Sequence, residues 1–130
     1  MRKETQNWLQ MVDYDIATAE HMLGTERYLY DVFMCHLSNE KMLKAIVSED
    51  TSETPPMTHN LIYLMKLAKV NPPQPLHDFI AIISNASIPT RYPSDFAKLI
   101  EAYPKEIVTE YLIKTREVLK WLKEDQRLTT

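Results

Sequence analysis

With 130 residues, 45% of them hydrophobic and 25% charged, the chain has the composition of one soluble globular domain over residues 1–130, too apolar for intrinsic disorder and too short for a multidomain enzyme. Fifteen Lys and Arg against eighteen Asp and Glu leave a net charge of −3. No whole-protein basic field therefore recruits nucleic acid, and only a local patch could do so. A single glycine stands beside eight prolines. Tight hairpins and phosphate-cradling loops need φ > 0, so this scarcity argues against a many-stranded sheet, a Rossmann unit or a P-loop.

In chain order, Trp8, Val12, Ile16, Ala19 and Leu23 fall at steps of four, four, three and four, which predicts one buried stripe of a helix between Glu4 and Leu23. Gly24 follows the stripe at once, as a left-handed C-terminal cap would. A second helix is predicted from Arg27 to Ser48, with the stripe Leu29, Phe33, His36, Leu37, Glu40, Leu43, Lys44 and Val47. Three polar residues thus lie on or beside its buried face. The acidic, proline-ended segment from Glu49 to Pro56 reads as a surface loop.

Thr58 is placed to cap a third helix over His59–Val70, with His59 in its first turn, and Pro72, Pro73 and Pro75 stop it. A short apolar fourth helix spans about Leu76 to Ala86. Pro89 and Pro93 then bracket Thr90, Arg91 and Tyr92 in a stiffened loop, followed by a short turn from Phe96 to Ala102. Pro104 suits the first turn of a fifth helix continuing to Glu124. Its row is Ile107, Tyr111, Thr115, Val118 and Leu122, widened by Val108, Leu112 and Leu119. Residues Gln126 to Thr130 form a tail expected to fray. These stripes predict an all-α fold, an antiparallel up-and-down bundle of four to five helices.

One cysteine, Cys35, forms no internal disulfide and suits a reducing compartment, and adjacent to His36 on a helix it cannot face it as a dyad. Met1 to Asn7 lacks the apolar core of a signal peptide, and no apolar run approaches the roughly 18 residues of a membrane span. A cytoplasmic protein without membrane contact is expected. His36 and Glu40 share a face at i, i+4, but no second pair at such spacing accompanies them, so no metal site is expected.

The string Phe33-Met34-Cys35-His36-Leu37-Ser38-Asn39-Glu40-Lys41-Met42-Leu43-Lys44-Ala45 resembles the "aromatic, small-residue, Glu-Lys-x-Leu-Lys-Ala" segment of HEPN domains. Trp8, Asp15, Tyr28, Thr58-His59-Asn60-Leu61 and Thr90-Arg91-Tyr92-Pro93 follow the family's order across nearly the whole chain. The resemblance implies a helical bundle, commonly a homodimer, paired with a minimal nucleotidyltransferase in a toxin–antitoxin-like arrangement. It also implies no cofactor beyond a nucleotide ligand. Some relatives are metal-independent ribonucleases carrying Arg, four to six residues, then His. No arginine of this chain is followed by that histidine, so the site is read as non-enzymatic, with no catalytic residue.

Arg91 and Tyr92 are the leading nucleotide-binding candidates, because a guanidinium bonds phosphate through two donors and a tyrosine stacks on a base. Glu40, Lys41 and Lys44 are placed near them as a charged cluster, in which Glu40 and Lys44 also have the orientation of a structural ion pair. The alternative is a HEPN ribonuclease toxin with a non-standard active site, using Arg91 for phosphate and a histidine from elsewhere in space.

Overall fold

The computed structural model describes residues 1–91 and 93–128, without the side chain of Arg91. These residues form seven α-helices and one 3₁₀ turn, with no strand: α1 (Lys3–Gly24), α2 (Tyr28–Thr51), α3 (Leu61–Ala68), α4 (Gln74–Asn85), α5 (Ser87–Arg91), α6 (Phe96–Ala102), α7 (Lys105–Lys123) and η1 (Gln126–Leu128). The all-helical expectation stands, but seven helices replace the four to five foreseen. The extra ones are α5 and α6, where a proline loop and a turn were expected. Pro89 sits in the first turn of α5, where its missing N–H costs nothing, and the Asp95 side chain caps α6 by accepting from the Lys98 N–H at 3.2 Å.

Helix α2 touches every other element and is the axis of the molecule. From Val32 to Ser48 it is buried nearly all round, with Val32, Met42, Leu43, Ala45 and Ile46 fully enclosed. A helix enclosed on all sides loses the one-sided polarity of a surface helix, hence its irregular stripe. Thr5 and Arg2 bond Ser48, and Asp15 pairs with Lys41, so α1 runs antiparallel to α2. Asp13 pairs with Lys123 and Glu20 with Arg116, so α1 is antiparallel to α7 as well. Helices α2 and α7 consequently run in the same direction, and α3 to α6 carry the chain back between them.

Several boundaries differ from the sequence reading for identifiable reasons. Gly24 is the last residue of α1 and has no positive φ. Glu26, at φ 62°, takes the left-handed position instead, and the Arg27 and Glu26 N–H groups bond the Met22 and Leu23 carbonyls. Lys69 and Ser52 end α3 and α2 in the same conformation, so the chain makes left-handed helix ends without using its glycine. Helix α2 persists to Thr51, into the segment read as loop. The cap of α3 is Asn60, whose Oδ1 accepts from the Tyr63 N–H at 3.1 Å, leaving Thr58 and His59 in the preceding loop.

In α7 the buried row is Val108, Leu112, Thr115, Leu119 and Leu122, with Val118, while Ile107 is exposed. The tail is held as far as Leu128, which is buried, and Arg127 bonds both Asp50 and Asp125. No helix among the described residues is long and apolar enough to cross a membrane.

Candidate functional site

Residues His36, Glu40 and Lys44 recur every four positions and so stand in one row on α2. The row is buried, with relative exposures of 0%, 4% and 6%. Glu40 lies at its centre. Its Oε2 accepts from Lys44 Nζ at 3.1 Å, and its Oε1 accepts from Nδ1–H of His59 at 2.7 Å. His36 Nδ1 lies 3.8 Å from the same Oε1, while His36 Nε2 lies 3.0 Å from the His59 carbonyl. A carbonyl can only accept, so that nitrogen carries the His36 proton. Lys44 Nζ also sits 5.6 Å above the Trp8 ring centroid, within cation–π range.

The buried carboxylate is therefore met by an ammonium and an imidazole, the condition under which a charge is tolerated away from water. His59 is clamped to α2 twice, by its ring and by its carbonyl. Its side chain is nevertheless 55% exposed, so the Nε2 on the far side of the ring is left toward solvent. The sequence reading singled out Glu40 and Lys44 but missed His59 as the partner of Glu40. The two positions are 19 residues apart, and no spacing rule connects a helix to the loop folded back beside it.

Lys41 points elsewhere: its Nζ is 2.7 Å from Asp15 Oδ2, tying α2 to α1. Helix α5 ends at Arg91, whose side chain, like the whole of Tyr92, lies outside the described residues. Thr90, just before, is buried and donates to the Ala86 carbonyl at 2.6 Å, which fixes α5 against the end of α4.

Beside His59 a cleft of about 480 Å³ opens where the α2–α3 loop meets α3, α4 and α5, and Asn60, Ser84, Asn85 and Ser87 line it. A neighbouring hollow of about 470 Å³ shares Ile88 and is bounded by Pro89, Pro93, Ser94 and Asp95. The two prolines named from sequence thus border the second hollow. Among the described residues no three His, Cys, Asp or Glu side chains are grouped so as to hold a metal.

A second buried polar row lies on another face of α2, against α7. Asp31, Cys35, Asn39 and Thr115 are all fully enclosed. Cys35 Sγ donates to Asp31 Oδ1 at 3.8 Å, and Asn39 Nδ2 donates to the Cys35 carbonyl at 2.8 Å and to Thr115 Oγ1 at 3.3 Å. Burial pushes the Asp31 carboxyl up to about 7, against a weaker pull from the Cys35 hydrogen bond. Burial and the nearby Asp31 charge push the Cys35 thiol up to about 12. A thiol so shielded is inert, in keeping with Cys35 as a small core residue.

A sequence profile of the HEPN domain matches residues 5–125. Among solved structures, TT1696 from Thermus thermophilus superposes with a TM-score of 0.79 at 21% identity, covering 95% of this chain and 98% of that one. ST0689, described as an archaeal HEPN homologue, superposes with a TM-score of 0.74 at 20% identity, covering 95% and 97%. At such identities the superpositions establish the shared fold alone. No functionally curated protein matches the chain. The profile match spans both buried rows, the cleft and nearly the full length, and on that ground the chain belongs to the HEPN family.

Proposed function

We propose that this chain is a nucleotide-binding HEPN module, cytoplasmic and homodimeric, acting beside a nucleotidyltransferase partner in a toxin–antitoxin-like pair. The observation that supports it is His59: an exposed imidazole, oriented by a buried carboxylate, at the edge of a cleft whose far wall is α5. Helix α5 ends at Arg91, so a ligand seated beside His59 lies one short helix away from the residue expected to meet phosphate. In this reading Glu40 and Lys44 support the site from beneath, and Lys41 holds α2 to α1. Two experiments test it. Affinity capture from the native host recovers a nucleotidyltransferase in stoichiometric amount, and recovery of the chain alone overturns the pairing. Titration with ATP and GTP gives a heat signal that His59→Ala and Arg91→Ala each weaken about tenfold, the cost of losing one hydrogen-bonded contact. Absence of heat from either nucleotide overturns the binding.

One observation favours the ribonuclease alternative. The Nδ1–H of His59 is committed to Glu40, so its Nε2 is free to take a proton from a ribose 2′-hydroxyl, the task of a general base. In this alternative His59 would serve as the histidine from elsewhere in space, in place of the missing Arg-to-His motif. Cleavage of total RNA without added metal, lost in His59→Ala, supports this reading, and no cleavage above buffer removes it.

A further inference from the structure

We infer that the cleft beside His59 receives the uncharged nucleoside part of the ligand, base and ribose, rather than its phosphates. The inference rests on the nucleotide-binding reading above and assigns the cleft its share of the ligand.

The lining carries it. Every polar side chain in the cleft is a neutral amide or hydroxyl, apart from the His59 imidazole, and no Lys, Arg, Asp or Glu lines it among the described residues. A phosphate chain in such a place would lack the cations that make phosphate binding strong. Glu40, directly behind His59 at 2.7 Å from its ring, is already paired with Lys44, so the charged row offers an anion in the cleft no unmatched cation. A nucleoside meets none of these objections. Asn60 spends its Oδ1 on the α3 cap and keeps its Nδ2 donors, while Ser84 Oγ accepts from the Leu61 N–H at 3.1 Å and keeps its proton to donate. Asn85, exposed at the end of α4, offers a donor and an acceptor together, the pattern that pairs with a base edge.

Ile62 and Ile88 supply the apolar walls against which a base packs. Ile88 is 70% exposed, a large apolar side chain left open to water at the cleft mouth. The volume, about 480 Å³, lies within the range of sites for small organic ligands.

Calorimetric titration of the full chain with the four ribonucleosides, their triphosphates and ribose 5-phosphate tests the assignment. At least one nucleoside binds within about tenfold of its triphosphate, ribose 5-phosphate gives no heat, and Asn85→Ala and Ile88→Asp each weaken the nucleoside about tenfold. Both positions are exposed, so the melting temperature stays where it was and the loss reports the cleft. Triphosphate binding without any nucleoside binding overturns the inference while leaving the nucleotide reading intact. Nucleoside binding that neither variant alters overturns it too. Silence from every compound removes the inference and the reading together.

Discussion

Helix α2 carries two buried carboxylates that the fold treats in opposite ways. Glu40 is met by Lys44 and His59, and its row continues through His59 to solvent. Asp31 is met by a thiol, and its row ends in Asn39 and Thr115, fully enclosed between α2 and α7. Both use the same i, i+4 spacing on the same helix. What separates them is the partner brought from outside α2: a loop histidine in one case, a helical threonine in the other. A paired cation offsets the cost of burying a carboxylate, whereas a lone thiol at Asp31 leaves burial to dominate, and burial favours the neutral acid.

The contrast breaks most severely at Glu40. Glu40→Ala strands a buried ammonium and releases His59, and urea unfolding is expected to show a loss of about 3–5 kcal/mol, the range for removing one member of a buried pair. A loss below about 1 kcal/mol would mean that the row is wet and the pair ordinary.

The opposite sign is expected at the other row. Asp31 has its carboxyl pushed up to about 7 in the folded chain, against 3.8 for the free side chain. Between those values the folded state holds a proton that the unfolded state has released. Asp31 therefore costs nothing below about pH 4, costs progressively more as pH rises toward 7, and costs a constant amount above it. Asp31→Asn is expected to raise stability at pH 8 on the order of 2 kcal/mol and to lose that gain near pH 4, as read by urea midpoints at the two values. An equal effect at both pH values would place the benefit in packing rather than in the proton.

The smallest effect is a silence. Cys35 is fully enclosed with its thiol pushed up to about 12, so a thiol reagent at pH 8 is expected to leave the folded chain unlabelled and to modify the one cysteine only in denaturant. Labelling of the folded chain would show that the α2–α7 seam opens, and would erase the difference between the enclosed row and the one that reaches solvent through His59.

Much of this architecture is legible in the residues. The stripes of α1 and α7 name the faces that are buried, because a helix against a core must repeat its apolar positions every three or four residues. The irregular stripe of α2, with His36, Glu40 and Lys44 inside it, announces a helix enclosed on more than one side. The HEPN resemblance is carried by residues of that same helix and of the loops beside it, and the profile match over 5–125 agrees with it. Less legible are α5 and α6. Two prolines read as loop, yet one of them sits where the first turn of a helix accepts it. The left-handed helix ends escape the sequence as well, since Glu26, Ser52 and Lys69 adopt a conformation for which glycine is the usual sign.

The order of the long helices, their buried faces and the charged row of α2 follow from local spacing alone, because the period of a helix decides which side chains share a face. Which carboxylate meets an imidazole and which a thiol-and-threonine seam does not. That depends on His59 and Thr115, 19 and 76 residues from the side chains they meet on α2. No local periodicity encodes a contact of that range. Burial of α2 on all sides had to bring the α2–α3 loop to Glu40 and α7 to Asn39, and the desolvation that comes with that packing pushes the Asp31 carboxyl up.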